Sequence, residues 1–237
     1  MLSWAIVTPS QPLSVDIVSA TRLPESGFWS NTPLGLSLGR MMLETRLNPC
    51  PIYSNKRGLG EVYNERLAAA DCAEYVVFVH DDVWLDDFFL VNRVVEGLEN
   101  FDILGLAGNT RRRPGQPSWG FVDTNFTWEE AGHLSGWVAH DQQPFGKLSA
   151  FGPVPAECEL MDGVFFAAKR DTLRKHEVRF DPQFDFHLYD MDFCRTARAR
   201  GLRLGTWPIA VTHQGKGNFG TEHWFQNYQK YIAKWGS

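Results

Sequence analysis

No run of about 18 consecutive apolar residues occurs in this chain, so nothing in it is built to cross a membrane as a helix. Cysteine is scarce: Cys50, Cys72, Cys158 and Cys194 are scattered, and no two form a Cys-x-x-Cys pair. That excludes zinc-ribbon and thioredoxin-like readings. Cys72 and Cys194 fall within apolar patterns, as buried thiols do, and point to a reducing compartment. Basic excess is missing too. Lys and Arg number 23 against 28 Asp and Glu, a formal charge of −5, so no nucleic-acid partner is expected. The opening Met-Leu-Ser-Trp-Ala-Ile has no basic segment and only a short apolar one, so no secretory leader is expected and the cytoplasm is the expected location. Internal repeats and low-complexity tracts are also absent.

What is present is an ordinary globular composition, 43% hydrophobic and 22% charged over 237 residues. One domain spanning 1–237 accommodates that length. Strand patterns occur at Trp4–Thr8, Val15–Ala20, Cys50–Ser54, Tyr75–His80, Phe101–Gly108, Val164–Ala168 and Arg203–Thr212. Helical spacing marks 31–47, the segment carrying Val62, Tyr63 and Leu67, and the stretches 86–98, 171–175, 190–200 and 222–235. This alternation predicts an α/β fold, an open and mostly parallel mixed sheet flanked by helices. Residues 109–157 break the rhythm with many Gly and Pro and read as a loop-rich insertion. The last helix, within 221–237, sets Trp224, Phe225, Tyr228, Tyr231, Ile232 and Trp235 along one broad face. That face suits docking on the domain; peripheral membrane contact is the alternative, without the basic polar face that membranes favour.

The strongest strand, Tyr75-Val-Val-Phe-Val-His80, is continuously apolar, as expected of a strand buried on both faces. It ends in His80, Asp81 and Asp82. Ligands of open α/β sheets sit at the carboxyl ends of strands. Adjacent carboxylates there need a cation or strong hydrogen bonds, and Mg²⁺ or Mn²⁺ is the natural partner; capping of the next turn is the plainer reading. A second acidic cluster, Tyr189-Asp190-Met191-Asp192, starts a helix, where Asp190 serves as an N-terminal cap or as a general base. Strand Trp207–Thr212 runs into His213 and a glycine-rich loop holding Lys216, suited to phosphate but not a Walker A motif. Arg111–Arg113 are phosphate candidates or a solvated run. Trp119 and Trp137 are candidates for stacking on sugars or for packing.

These segments, taken in order, resemble the GT-A-type, family-2-like glycosyltransferases, nearest to the streptomycin-biosynthesis subgroup. The resemblance covers about Asn55 to Gly220. Asn64 in Val-Tyr-Asn-Glu matches the asparagine ahead of the metal strand. Val77-Phe-Val-His-Asp-Asp-Val83 matches the DxD segment, with His80 replacing its first acid. Met161-Asp162-Gly163 matches an acceptor-side strand, Asp190 the base, and Val211-Thr-His213 a late metal-site histidine. Tyr189 stands where a Glu often precedes the base.

The resemblance implies a single GT-A, Rossmann-like domain and a metal-dependent, inverting glycosyltransferase. Asp190 is then the general base, and Asp82 and His213 hold Mn²⁺ or Mg²⁺. Thr8, Asn64, His80, Asp81 and Lys216 fall to the nucleotide-sugar donor, with UDP-sugars foremost. Asp162, Gly163 and Trp119 fall to a glycan or other hydroxyl acceptor. Two rival readings of the residues stand beside it: a metal-dependent phosphoester hydrolase or nucleotidyltransferase, and a non-catalytic carbohydrate-binding protein.

Overall fold

A computed structural model describes residues 13–215 and 217–236. The expected strand Trp4–Thr8 and Lys216 lie outside the described residues. Strands in chain order are β1 (Val15–Ala20), β2 (Leu47–Ile52), β3 (Tyr75–Val79), β4 (Val83–Leu85), β5 (Ile103–Gly105), β6 (Ala107–Asn109), β7 (Leu134–His140), β8 (Lys147–Gly152), β9 (Ala156–Cys158), β10 (Leu160–Met161), β11 (Phe165–Lys169), β12 (Leu204–Thr206) and β13 (Val211–His213). The α-helices are α1 (Glu25–Asn31), α2 (Pro33–Arg40), α3 (Leu59–Ala68), α4 (Leu90–Gly97), α5 (Arg170–Lys175), α6 (Tyr189–Ala199) and α7 (Glu222–Trp235).

Seven strands form the main sheet in the order β2-β1-β3-β11-β5-β12-β9. Pairings β1–β2, β1–β3 and β5–β12 are parallel, while β3–β11, β11–β5 and β12–β9 are antiparallel. The sheet is therefore mixed as expected, with a smaller parallel share than the βαβ rhythm implies. Every residue of β3 is buried, which is why its sequence shows no polar alternation. The second sheet runs β10-β6-β7-β13-β4, with β8 paired to β7.

Two segments that read as single strands are divided between the sheets. The run 101–108 breaks at Leu106 into β5 and β6, and 203–212 breaks into β12 and β13. Pro208 lies inside the second break and lacks the amide a continuous ladder would need. Residues 109–157 also hold more structure than their Gly and Pro content suggests, because β7 and β8 form an antiparallel pair there. Gly136 explains the masked signal. It sits at φ 121° at the bulge of that pair, and a Cβ there would strike the Leu106 and Ala107 backbone. Of the expected helix over 31–47 only Pro33–Arg40 is helical, as α2; α1 ends at Asn31, Leu47 already opens β2, and the Thr32 hydroxyl between the helices caps α2 by accepting from Gly35.

The final helix matches its expected bounds. Thr221 caps it, accepting from the Trp224 amide. Trp224 and Tyr231 are buried, Tyr228 donates to the Gly115 carbonyl at 2.6 Å, and Phe225 stays exposed. At its far end Lys234 pairs with Asp181 and Asp192, each at 2.7 Å, and Trp235 Nε1 donates to Asp192 at 2.6 Å. Among the described residues no helix is long and apolar enough to cross a membrane.

Asp192 is thus an anchor for α7. The Asp192→Ala variant should lose about 1–3 kcal/mol, the cost of orphaning buried partners, softened because Lys234 can turn to water. Calorimetric melting that matches the wild type would refute this anchoring role.

Candidate functional site

Strand register assembles the site. β13 runs antiparallel to β4 with His213 opposite Val83, so His213 lands beside Asp82, and the Gln214 amide continues the ladder to the Asp82 carbonyl. At the same end of β3, the His80 amide donates to the Val164 carbonyl, which brings Asp162 and Gly163 alongside. Helix α6 begins at the same place, its Asp190 carboxylate accepting from the Gly163 amide. Its preceding residue, Leu188, is held at φ 61°, a left-handed conformation that is strained for a branched side chain. That twist turns Tyr189 and Asp190 toward the strand ends.

His80, Asp82 and His213 offer ligand atoms that all lie within 4.8 Å of one another. His213 Nε2 is 3.3 Å from Asp82 Oδ2, and His80 Nδ1 is 4.0 Å from Asp82 Oδ1. The second gap is too long for a hydrogen bond. It leaves an open space between the two atoms, and both face the same cluster of ligand atoms. Asp82 Oδ1 is buried without any hydrogen-bond partner, a costly state that a cation relieves. Gly215 keeps the cradle open, since a Cβ there would run into Asp82 Oδ2 and stand 2.8 Å from His213 Nε2. These observations fit a divalent cation. Two imidazoles and one carboxylate suit Mn²⁺ better than Mg²⁺, which favours all-oxygen ligation.

Electrostatics separate the groups. Burial pushes Asp82 up, but the hydrogen bond and charge of His213 outweigh it and hold the carboxyl below its usual value. Burial opposes charge on His213 as well, and Asp82 raises it on balance. His80 is lowered, chiefly by burial. Asp190 moves furthest among the site carboxyls: burial and then the Asp162 charge push it up to about 7. Its oxygens accept from the Gly163 amide at 3.2 Å and the Met191 amide at 2.9 Å.

A cavity of about 700 Å³ joins these groups. His80, Asp82, His213, Asp162, Gly163, Trp119 and Asp190 all line it, so seven of the residues singled out in the sequence share one space. Asp162 accepts from Trp119 Nε1 at 2.6 Å and from the Val164 amide at 2.8 Å. Gly163 is needed for close approach, because a Cβ there would collide with the Tyr189 hydroxyl and lie 2.8 Å from Asp190 Cβ.

Other expected residues go elsewhere. The Asn64 carboxamide exchanges two hydrogen bonds with the Phe180 backbone, at 2.7 and 3.1 Å, and does not line the cavity. Asp81 turns toward Thr21 at the end of β1, with burial raising its pKa, and is likewise off the wall. Arg111 and Arg113 grip the buried Glu129 carboxylate at 2.8 and 3.1 Å, so they are structural. Trp137 faces solvent away from the cavity. Thr8 and Lys216 lie outside the described residues. The aromatic wall was largely missed: Phe121, Trp128, Phe151, Phe186, Phe219 and Trp224 come from five separate segments. His140, whose ring lies 6.0 Å from that of His213, and His187 also line the space.

No protein-family model matches the chain, and no curated protein matches it. Solved structures do resemble it. GalNAc-T7, in a structure with UDP, GalNAc and Mn²⁺, matches over 94% of this chain with a TM-score of 0.53 at 12% identity. The catalytic domain of Drosophila beta1,4-galactosyltransferase 7, in complex with xylobiose, matches over 91% with a TM-score of 0.50 at 11% identity. The chain covers 48% of the first and 79% of the second. The fold is that of GT-A glycosyltransferases.

Two outcomes follow from this geometry. Gly215→Ala should weaken Mn²⁺ binding about ten-fold or more; an unchanged affinity in titration calorimetry with Mn²⁺ alone would remove the cradle. The second concerns Asp190. Its ordinary value is 3.8, so the fold favours the protonated form. Below pH 4 the native and unfolded chains both hold that proton and no penalty arises. The penalty grows from pH 4 to about 7 and is complete above. Asp190→Asn should therefore gain melting temperature over the wild type progressively across that window, measured in EDTA. A pH-independent difference would contradict a raised pKa.

Proposed function

We propose that the protein is a metal-dependent, inverting glycosyltransferase that moves a sugar from a nucleotide-diphosphate donor to an acceptor hydroxyl. The observation that carries this reading is Asp190, a carboxylate raised to about 7 in the same cavity as the cation cradle. A base with that value is half deprotonated near neutrality and still strong enough to accept a hydroxyl proton.

Asp190 takes the proton of the acceptor hydroxyl as its oxygen attacks the anomeric carbon. The bond to the nucleoside diphosphate breaks on the opposite face, so the configuration inverts and no covalent enzyme intermediate forms. A cation held by His80, Asp82 and His213 would neutralise the diphosphate. Asp162, fixed by Trp119, and the aromatic wall offer an apolar face and a hydrogen-bond acceptor to the incoming glycan. Asp81, beside Thr21, keeps its assignment to the donor together with Thr8 and Lys216. Asn64 supports the fold instead.

The fold likeness to structures solved with UDP, Mn²⁺ and a xylose disaccharide supports UDP-sugars and glycans as the first substrates to test. His80-Asp81-Asp82 and Tyr189-Asp190 support placement with the streptomycin-biosynthesis subgroup.

Asp190→Asn should keep Mn²⁺ and UDP affinity while transfer falls by about 10²–10⁴-fold. Near-normal turnover in a folded variant would remove Asp190 from the mechanism. Proton NMR of the product should show the anomeric configuration opposite to the donor's; retention would reject the single displacement. UDP release that ignores acceptor would favour a hydrolase.

A further inference from the structure

Tyr189 opens the base-bearing helix, and its hydroxyl is engaged twice. It donates to the Gly163 carbonyl at 2.7 Å. A carbonyl only accepts, so the hydroxyl's single hydrogen is spent there. His80 Nε2 stands 2.8 Å from the same oxygen and must supply its own hydrogen. A neutral imidazole carries one N–H, so Nδ1 keeps its lone pair, and Nδ1 is the atom facing Asp82 Oδ1.

The packing holds this arrangement from several sides. The Tyr189 ring lies 6.3 Å from Tyr63 and 6.0 Å from Phe180, and the His80 ring stacks on Phe186 at 6.0 Å. Residue 163 must be glycine for the hydroxyl to reach its carbonyl.

We propose, resting on the cation site described above, that Tyr189 is a positioning residue that locks His80 as its Nε2–H tautomer and aims Nδ1 at a divalent cation. Metal-binding histidines generally need such a partner on the other nitrogen. Here the partner adjoins Asp190 in sequence and accepts through an oxygen tied to Gly163, whose amide holds the Asp190 carboxylate. Cation geometry and base geometry are thereby set by one hydroxyl.

The test uses metal-free protein with ¹⁵N-labelled histidine, the His80 signals being assigned by their loss in His80→Gln. Long-range ¹H–¹⁵N spectra of the wild type should show His80 protonated at Nε2. Tyr189→Phe, which keeps the ring and the packing, should give a tautomer mixture and bind Mn²⁺ about 10–100-fold more weakly in titration with Mn²⁺ alone. A merely structural tyrosine would change melting temperature without moving the tautomer. Wild-type His80 protonated at Nδ1 overturns the proposal, with no variant required. Unchanged tautomer and affinity in a folded Tyr189→Phe protein overturn it equally. Wild type that binds no Mn²⁺ overturns it together with the cation site. Loss of the glycosyl-transfer reading alone would show as intact tautomer control and Mn²⁺ binding in a protein that transfers no sugar.

Discussion

Desolvated charge at the carboxyl end of β3 is the constraint around which the rest is arranged. A strand buried along its whole length delivers His80, Asp81 and Asp82 to a place where water cannot fully solvate them. Charge in such a position must be paired, hydrogen-bonded, neutralised or given to a ligand. All of these solutions are used. Asp81 turns to Thr21, Asp82 pairs with His213, His80 is kept neutral, and Asp190 is pushed toward its protonated form. One oxygen, Asp82 Oδ1, is left without a partner, and it faces the cavity's cation cradle.

Antiparallel insertion of β11 beside β3 makes that arrangement reachable. A purely parallel sheet would send the chain off β3's neighbour at the same end through a crossover. With β11 reversed, the turn entering it places Asp162 and Gly163 directly against His80. The division of one extended run into β12 and β13 works similarly, since it carries His213 out of the main sheet and across to Asp82. Departures from regular sheet architecture coincide with the residues of the cavity.

Legibility in the sequence followed from how local each signal is. The run Tyr75–Val79 shows its burial in its own composition, and α7 shows its boundaries through Thr221 and its aromatic face. His80, Asp82, Asp190 and His213 were found because strand ends and helix starts are places where chemistry collects. Asn64, Asp192, Arg111 and Arg113 carry the same residue types as site groups, and only their distant partners, Phe180, Lys234 and Glu129, reveal structural work. Leu188 gave no sign of its left-handed backbone, because a leucine carries no preference for it. The aromatic wall is assembled from segments far apart in sequence, so no window of the chain contains it.

Helix α7 carries Trp224 on the cavity wall and is fastened at its far end by Asp181 and Asp192. The wall at Trp224 is therefore only as firm as that distant fastening, because both belong to one helix. Opening of the Lys234 ion pairs frees the helix end and with it the aromatic wall, so a local unfolding event confined to α7 would uncover the cavity while the main sheet stays intact.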